Sequence, residues 1–245
     1  MIRYAAAMAL LLATPAVAQD APTRPSITVT GRGKVETPPD TFRINAEIEG
    51  QGANQVDALR ALAAVQTRVE DIKALEGLER ARLTTGSPSV SPTFDPACEK
   101  DDYGDKDDCP ITGYVASSSL TLEASPVARA GDAVSLASER GARSANVTSF
   151  YLGDDAGQAV EAQRAAFADA RRQAETLATA AGQRIVRVLK LQNPGDRNVA
   201  REMYGYGYVD DVVVTGSLAR PTISLTVAPP PVRTEAQIQV TFEIE

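Results

Sequence analysis

The stretch ITVTGRGKVETPPDTFRINAEIEG, residues 27–50, holds two strands and the turn between them. In residues 41–50, Phe42, Ile44, Ala46 and Ile48 alternate with Arg43, Asn45, Glu47 and Glu49. Successive side chains of a strand point to opposite faces, so this pattern is a strand with one buried face. Residues 27–36 set Ile27, Val29 and Val35 on one face, with Gly31 and Gly33 in the same run. The G-R-G triplet begins like a phosphate-loop fingerprint, but no helix follows it and the other glycines are missing. Glycines within a strand instead mark a bulge or the close approach of another backbone. TPPD (37–40) supplies a turn. Glu47 and Glu49 fall on the outer face, which reads as a solvated surface rather than a catalytic pair.

Beyond Asn54 the period changes from two to between three and four. Val56, Leu59, Leu62, Val65, Val69, Ile72 and Leu75 mark an amphipathic helix over 55–75, with Asn54 as its N-cap and Gly77 as its terminator. Residues 83–94 read as an irregular strand, and 111–124 resume alternation through Tyr114, Ala116, Ser118, Leu120 and Leu122. A second helix covers about 127–140 and a short strand 146–152. The helix 156–181 carries Ala162, Ala166, Ala170, Ala174, Leu177, Ala178 and Ala181 along one stripe, with Phe167 as an anchor. Alanine buries little area, and it allows a helix to lie close to a sheet. A strand at 184–192, a flexible excursion at about 193–233 and a regular final strand, 236–245, complete the chain. The order of elements is that of an α+β domain of mixed or antiparallel sheet, packed with three helices and completed by its C-terminal strand.

The ends and the composition set the compartment and exclude chemistry. Met1–Arg3, an apolar run and Ala16-Val17-Ala18 follow the order of an export signal, with cleavage expected after Ala18. That gives a signal peptide at 1–18, a lead-in at 19–25 and a domain at 26–245, with no transmembrane segment expected after cleavage. Cleavage removes Arg3 and no acid, so the formal charge of −7 becomes −8. An acidic chain without clustered cations is a poor nucleic-acid binder. The sequence has no His and no Trp, which rules out His-based triads and His-ligated metals. No catalytic, cofactor-binding or metal-ligating residue stands out, and the chain reads as no enzyme.

Several stretches together are similar to the SIMPL-domain family, bacterial members of which are exported proteins of unknown function. ITVTGRGKVETPPDTFRINAEIEG resembles the family's opening hairpin. SPSVSPTFDP with ITGYVASSSLTLEA resembles its central hairpin, SERGARSANVTSFYL its glycine-then-strand passage, and EAQRAAFADARRQAETLATAAGQ its long helix. AQIQVTFEIE resembles the closing strand. The resemblance implies a single SIMPL-like domain in a periplasmic or envelope protein of the oxidative-stress-defence type. It implies no cofactor, and action through homo-oligomerisation or an envelope partner.

Two features lie outside that pattern. CEKDDYGDKDDC, 98–109, carries six acids (Glu99, Asp101, Asp102, Asp105, Asp107, Asp108) against Lys100 and Lys106 between the two cysteines. It lacks the order of an EF-hand loop, and its cysteine spacing is not that of a redox motif. In an oxidising compartment, Cys98 and Cys109 read as a disulfide stapling the tip of a long hairpin. A cation or small-ligand binder working through this loop is the alternative function; a carboxylate-dependent enzyme comes behind it. Tyr204, Tyr206 and Tyr208, spaced by glycines, form a candidate partner surface.

Overall fold

The strands sort into two antiparallel sheets. The computed structural model describes residues 24–96, 98, 109–193 and 219–245. In chain order the elements are β1 (Ser26–Thr37), β2 (Thr41–Gly52), α1 (Gln55–Val69) with a 3-10 turn (Glu70–Ala74), β3 (Glu79–Thr85), β4 (Ser89–Phe94) and β5 (Ile111–Ser125). A 3-10 turn then leads into α2 (Ala130–Glu139), followed by β6 (Ser144–Tyr151), α3 (Ala156–Ala180), β7 (Ile185–Gln192) and β8 (Val232–Ile244). The first sheet has the order β1-β8-β7. The second has the order β3-β5-β2-β6, with β4 also paired to β5. The α+β class and the completion by the C-terminal strand hold, since β8 is the middle strand of the first sheet.

The expected opening hairpin is not formed. β1 pairs with β8 over its whole length, whereas β2 pairs with β5 and β6 in the other sheet. Tight two-residue hairpin turns need positive φ at one or both central positions. Pro38 and Pro39 are held near φ −65° and offer no N–H, so the chain runs on, extended, into the second sheet. Asp40 fixes this crossing: its carboxylate accepts from Gly153 N at 2.7 Å and from the Thr41 hydroxyl at 2.7 Å. Gly153 belongs to the return crossing between β6 and α3, so one side chain ties both links together. The Gly153 N–H holds the Asp40 carboxyl below the usual range.

Glycines seat a helix on each sheet. A Cβ built at Gly31 would lie 2.6 Å from Ala170 N and closer still to the Ala166 carbonyl oxygen. At Gly33 it would lie 2.5 Å from Ala166 N. The i+4 alanine ridge of α3, Ala162 to Ala178, is fully buried against this strip. In the second sheet Gly50 receives α1 in the same way, 2.6 Å from the Ala58 oxygen. This close seating fixes how far each helix is rotated. Ala58 and Leu62 become the buried line of α1, while Val56 and Leu59, expected in the stripe, are 62% and 43% exposed. Leu177 of α3 likewise stands out of its expected stripe, 51% exposed.

The central hairpin forms as read: β4 pairs with β5 from Ser89–Ser117 to Phe94–Ile111. Residues 219–227, inside the stretch expected to be an excursion, lie against the helices of the second sheet. Glu76 N donates to Ala219 O at 2.9 Å, the Arg220 guanidinium pairs with Glu76, and the Ser224 hydroxyl donates to buried Asp132 at 2.7 Å.

Candidate interaction surface

The two edges of the first sheet are closed to strand addition in different ways. On β1, the outward N–H of Arg32 donates to Asp169 at 3.0 Å, and Gln173 Nε2 donates to Thr30 O at 3.3 Å. Side chains of α3 therefore occupy the backbone groups that another strand would need. The same Arg32 N–H lowers the pKa of Asp169. On β7, the register slips twice against β8, leaving Val186 and Leu189 as extra residues between paired neighbours. Bulges of this kind twist an edge away from pairing.

β7 nevertheless presents apolar side chains in three directions. Ile185, Val188 and Leu191 oppose Ile244, Phe242 and Val240, on the face that α3 covers further along the sheet. The helix lies over β1 and β8 and leaves β7 uncovered, so Val186, Val188, Leu189 and Leu191 are all exposed. Two grooves result on either side of Phe167, whose ring lies 6.4 Å from that of Phe242. One, of about 380 Å³, runs between Ala178 and Ile185. The other, of about 560 Å³, is walled by Val160, Phe167, Leu191 and Ile238. Arg164 stands at its rim, and Lys190 on the opposite face of β7; neither has an acidic partner among the described residues. Arg187, also on β7, pairs with Glu243 at 2.5 Å.

The residues singled out from sequence fall elsewhere. Cys98 and Cys109 are joined, Cα to Cα 5.8 Å, at the end of the β4–β5 hairpin. The acids between them, and the tyrosines at 204, 206 and 208, lie outside the described residues, so their candidate roles remain as read. Glu47 and Glu49 point from the open face of the second sheet, toward Ser144 and Arg143. The β7 surface was missed as a site, although RIVRVLKLQ carried its signal: apolar residues that do not alternate, in a strand too polar to be fully buried.

Fold and surface define an α+β protein whose exposed chemistry is apolar contact on an uncovered sheet flank. The chain belongs to the SIMPL family, whose model, described as a protein of unknown function (DUF541), matches residues 27–242. It is similar to the 26 kDa periplasmic immunogenic protein of Brucella melitensis biotype 1, 30% identical over 186 residues, 74% of this chain and 73% of the relative. The protein of the same description from Brucella abortus strain S19 matches with the same identity and coverage. Among the described residues no helix is long and apolar enough to cross a membrane.

Proposed function

We propose that this chain is an exported periplasmic protein that acts without a catalytic centre, by assembling with copies of itself or with an envelope partner, in an envelope or oxidative stress response. One observation carries the assembly: the edge strand β7 exposes Val186, Val188, Leu189 and Leu191 beside a groove that α3 leaves open. Exposed apolar side chains gathered beside an open groove favour its use as a contact surface. Export is supported by the N-terminal signal pattern and by the periplasmic description of the Brucella relatives. Light scattering on periplasmic protein tests assembly, with a mass above the monomer expected at micromolar concentration. A monomer at every concentration, retrieving no envelope protein on cross-linking, would overturn the reading. N-terminal sequencing tests export, with Gln19 as the expected first residue.

A further inference from the structure

Val160, Gln163, Arg164 and Phe167 recur at i, i+3, i+4 and i+7 along α3, so they form one line on the helix. That line faces Leu191 of β7 and Ile238 of β8 across the groove of about 560 Å³. The volume is that of a small-molecule site, in which apolar walls carry a few polar groups that fix orientation. Val160, Leu191 and Ile238 make the walls aliphatic, and the Phe167 ring divides this groove from its neighbour. Ile238 is buried at the floor, whereas Val160 and Leu191 stand open to solvent. Among the described residues Arg164 is the only charged group that lines the groove, and it has no acidic partner.

We infer that this groove binds a free single-chain fatty carboxylate, with the chain along Val160, Phe167, Leu191 and Ile238 and the carboxylate on Arg164. Such a site goes beyond the assembly reading and does not require it. A guanidinium offers five donors and no acceptor, in a planar fork that matches a carboxylate. One guanidinium balances the single charge of a carboxylate, whereas a phosphate monoester carries close to two. An extended peptide finds no ladder here, because Asp169 and Gln173 plug the β1 edge and β7 bulges twice. Transfer of methylenes from water into the groove supplies the affinity, and the charge-assisted hydrogen bond sets the direction of the chain. In a protein of net charge −7, an unpaired cation beside apolar walls is the place that draws an anionic amphiphile.

Isothermal titration calorimetry of the full mature chain with octanoate, decanoate and dodecanoate, each below its micelle concentration, tests this. Saturable binding is expected, tightening about two- to fourfold for each added methylene, the range from half to full burial of that group. Arg164→Gln should weaken decanoate about threefold, within the range for an exposed charge pair, and leave decanol unchanged. Val160→Asp and Leu191→Asp alter wall positions that are exposed in the folded chain. Each should weaken decanoate at least about tenfold while circular dichroism shows the fold intact. Absence of saturable binding, or equal weakening of decanoate and decanol by Arg164→Gln, would overturn the site. Wild-type affinity in both folded wall variants would do the same. Binding to phosphatidylglycerol vesicles without binding to soluble decanoate would overturn it in favour of a bilayer surface. Light scattering on the same samples reads assembly separately, so a chain that assembles but takes no decanoate loses this site and keeps that reading.

Discussion

Where the first sheet meets α3, a single methyl group separates a seated helix from a displaced one. Gly31→Ala would drive its Cβ into backbone atoms of Ala166 and Ala170, which cannot swing aside as a side chain can. The expected loss is about 3 kcal/mol, the upper range for overpacking a close contact, read as a fall in the urea midpoint. Gly157 lies in the first turn of α3, and a Cβ added there would meet nothing within 4 Å. Gly157→Ala should therefore stabilise, by up to about 1 kcal/mol, through helix propensity alone. If both substitutions behaved alike, the close approach would not be the reason for the glycine. Asp40 makes a second residue-scale case. Its folded pKa lies below the ordinary value of 3.8, chiefly through the Gly153 N–H. A depressed carboxyl contributes stability above its unfolded pKa and loses it as pH falls through the lower folded value. Wild-type stability should thus fall between about pH 5 and pH 2. Asp40→Asn should be less stable at neutral pH and show a shallower slope in that window, measured by urea unfolding across pH. An unchanged slope would mean that the clasp between the two crossings contributes nothing through its charge.

The β4–β5 hairpin is the element whose stability is most separable from the rest. Closing its loop of about twelve residues should contribute roughly 3 kcal/mol in the chain-entropy account. Cys98→Ser should lower the thermal midpoint and leave the far-ultraviolet dichroism unchanged; an unshifted midpoint would show that the hairpin is already ordered without its staple. This hairpin was legible in the sequence, as were all three helices, the Asn54 cap and the closing strand, because each is written in local periodicity and end signals. What was not legible is pairing between distant segments. β1 and β2 are neighbours in sequence and alternate well, yet they join different sheets, and only the two prolines between them hint at it. The helix stripes depart from the pattern at Val56, Leu59 and Leu177 for a related reason. Their rotation is set by alanine meeting strand glycine, a contact without hydrophobic weight in either sequence segment. The candidate surface was obscured because β7 gains no partner from its own periodicity: its two bulges and its exposure arise from where α3 stops.

At the scale of the molecule, the chain builds two cores of unequal strength. The second sheet packs Phe42, Ile44, Ile48, Leu120 and Leu122 against Leu62, Val69, Ile72 and Leu136 from its helices. The first packs Val29, Ile238, Val240 and Phe242 against Ala166, Ala170 and Ala174. Buried area sets the apolar contribution at about 25 cal/mol per Å², and alanine brings little of it, so the first unit draws the smaller share. Its outer strand β7 is also the least covered of the sheet strands, exposed at all but one position. Among the described residues the units are joined by the two short crossings that Asp40 clasps and by residues 219–231, which pack on the helices of the second sheet before entering β8; their two apolar cores stay separate. Structures of this kind open in parts, with the weaker unit exchanging its amides through a sub-global fluctuation. Amides of β1 and β8 are therefore expected to exchange at least about tenfold faster than those of β2 and β5, a difference of about 1.4 kcal/mol in opening free energy. Native-state hydrogen exchange by mass spectrometry on peptides from the four strands measures this directly. The experiment is best done at a concentration where the chain is monomeric, since any partner on the α3–β7 flank would add protection to the weaker unit. Equal slowest rates in both sheets would show that the two cores unfold as one cooperative body, and that the crossings couple them more tightly than their contacts suggest.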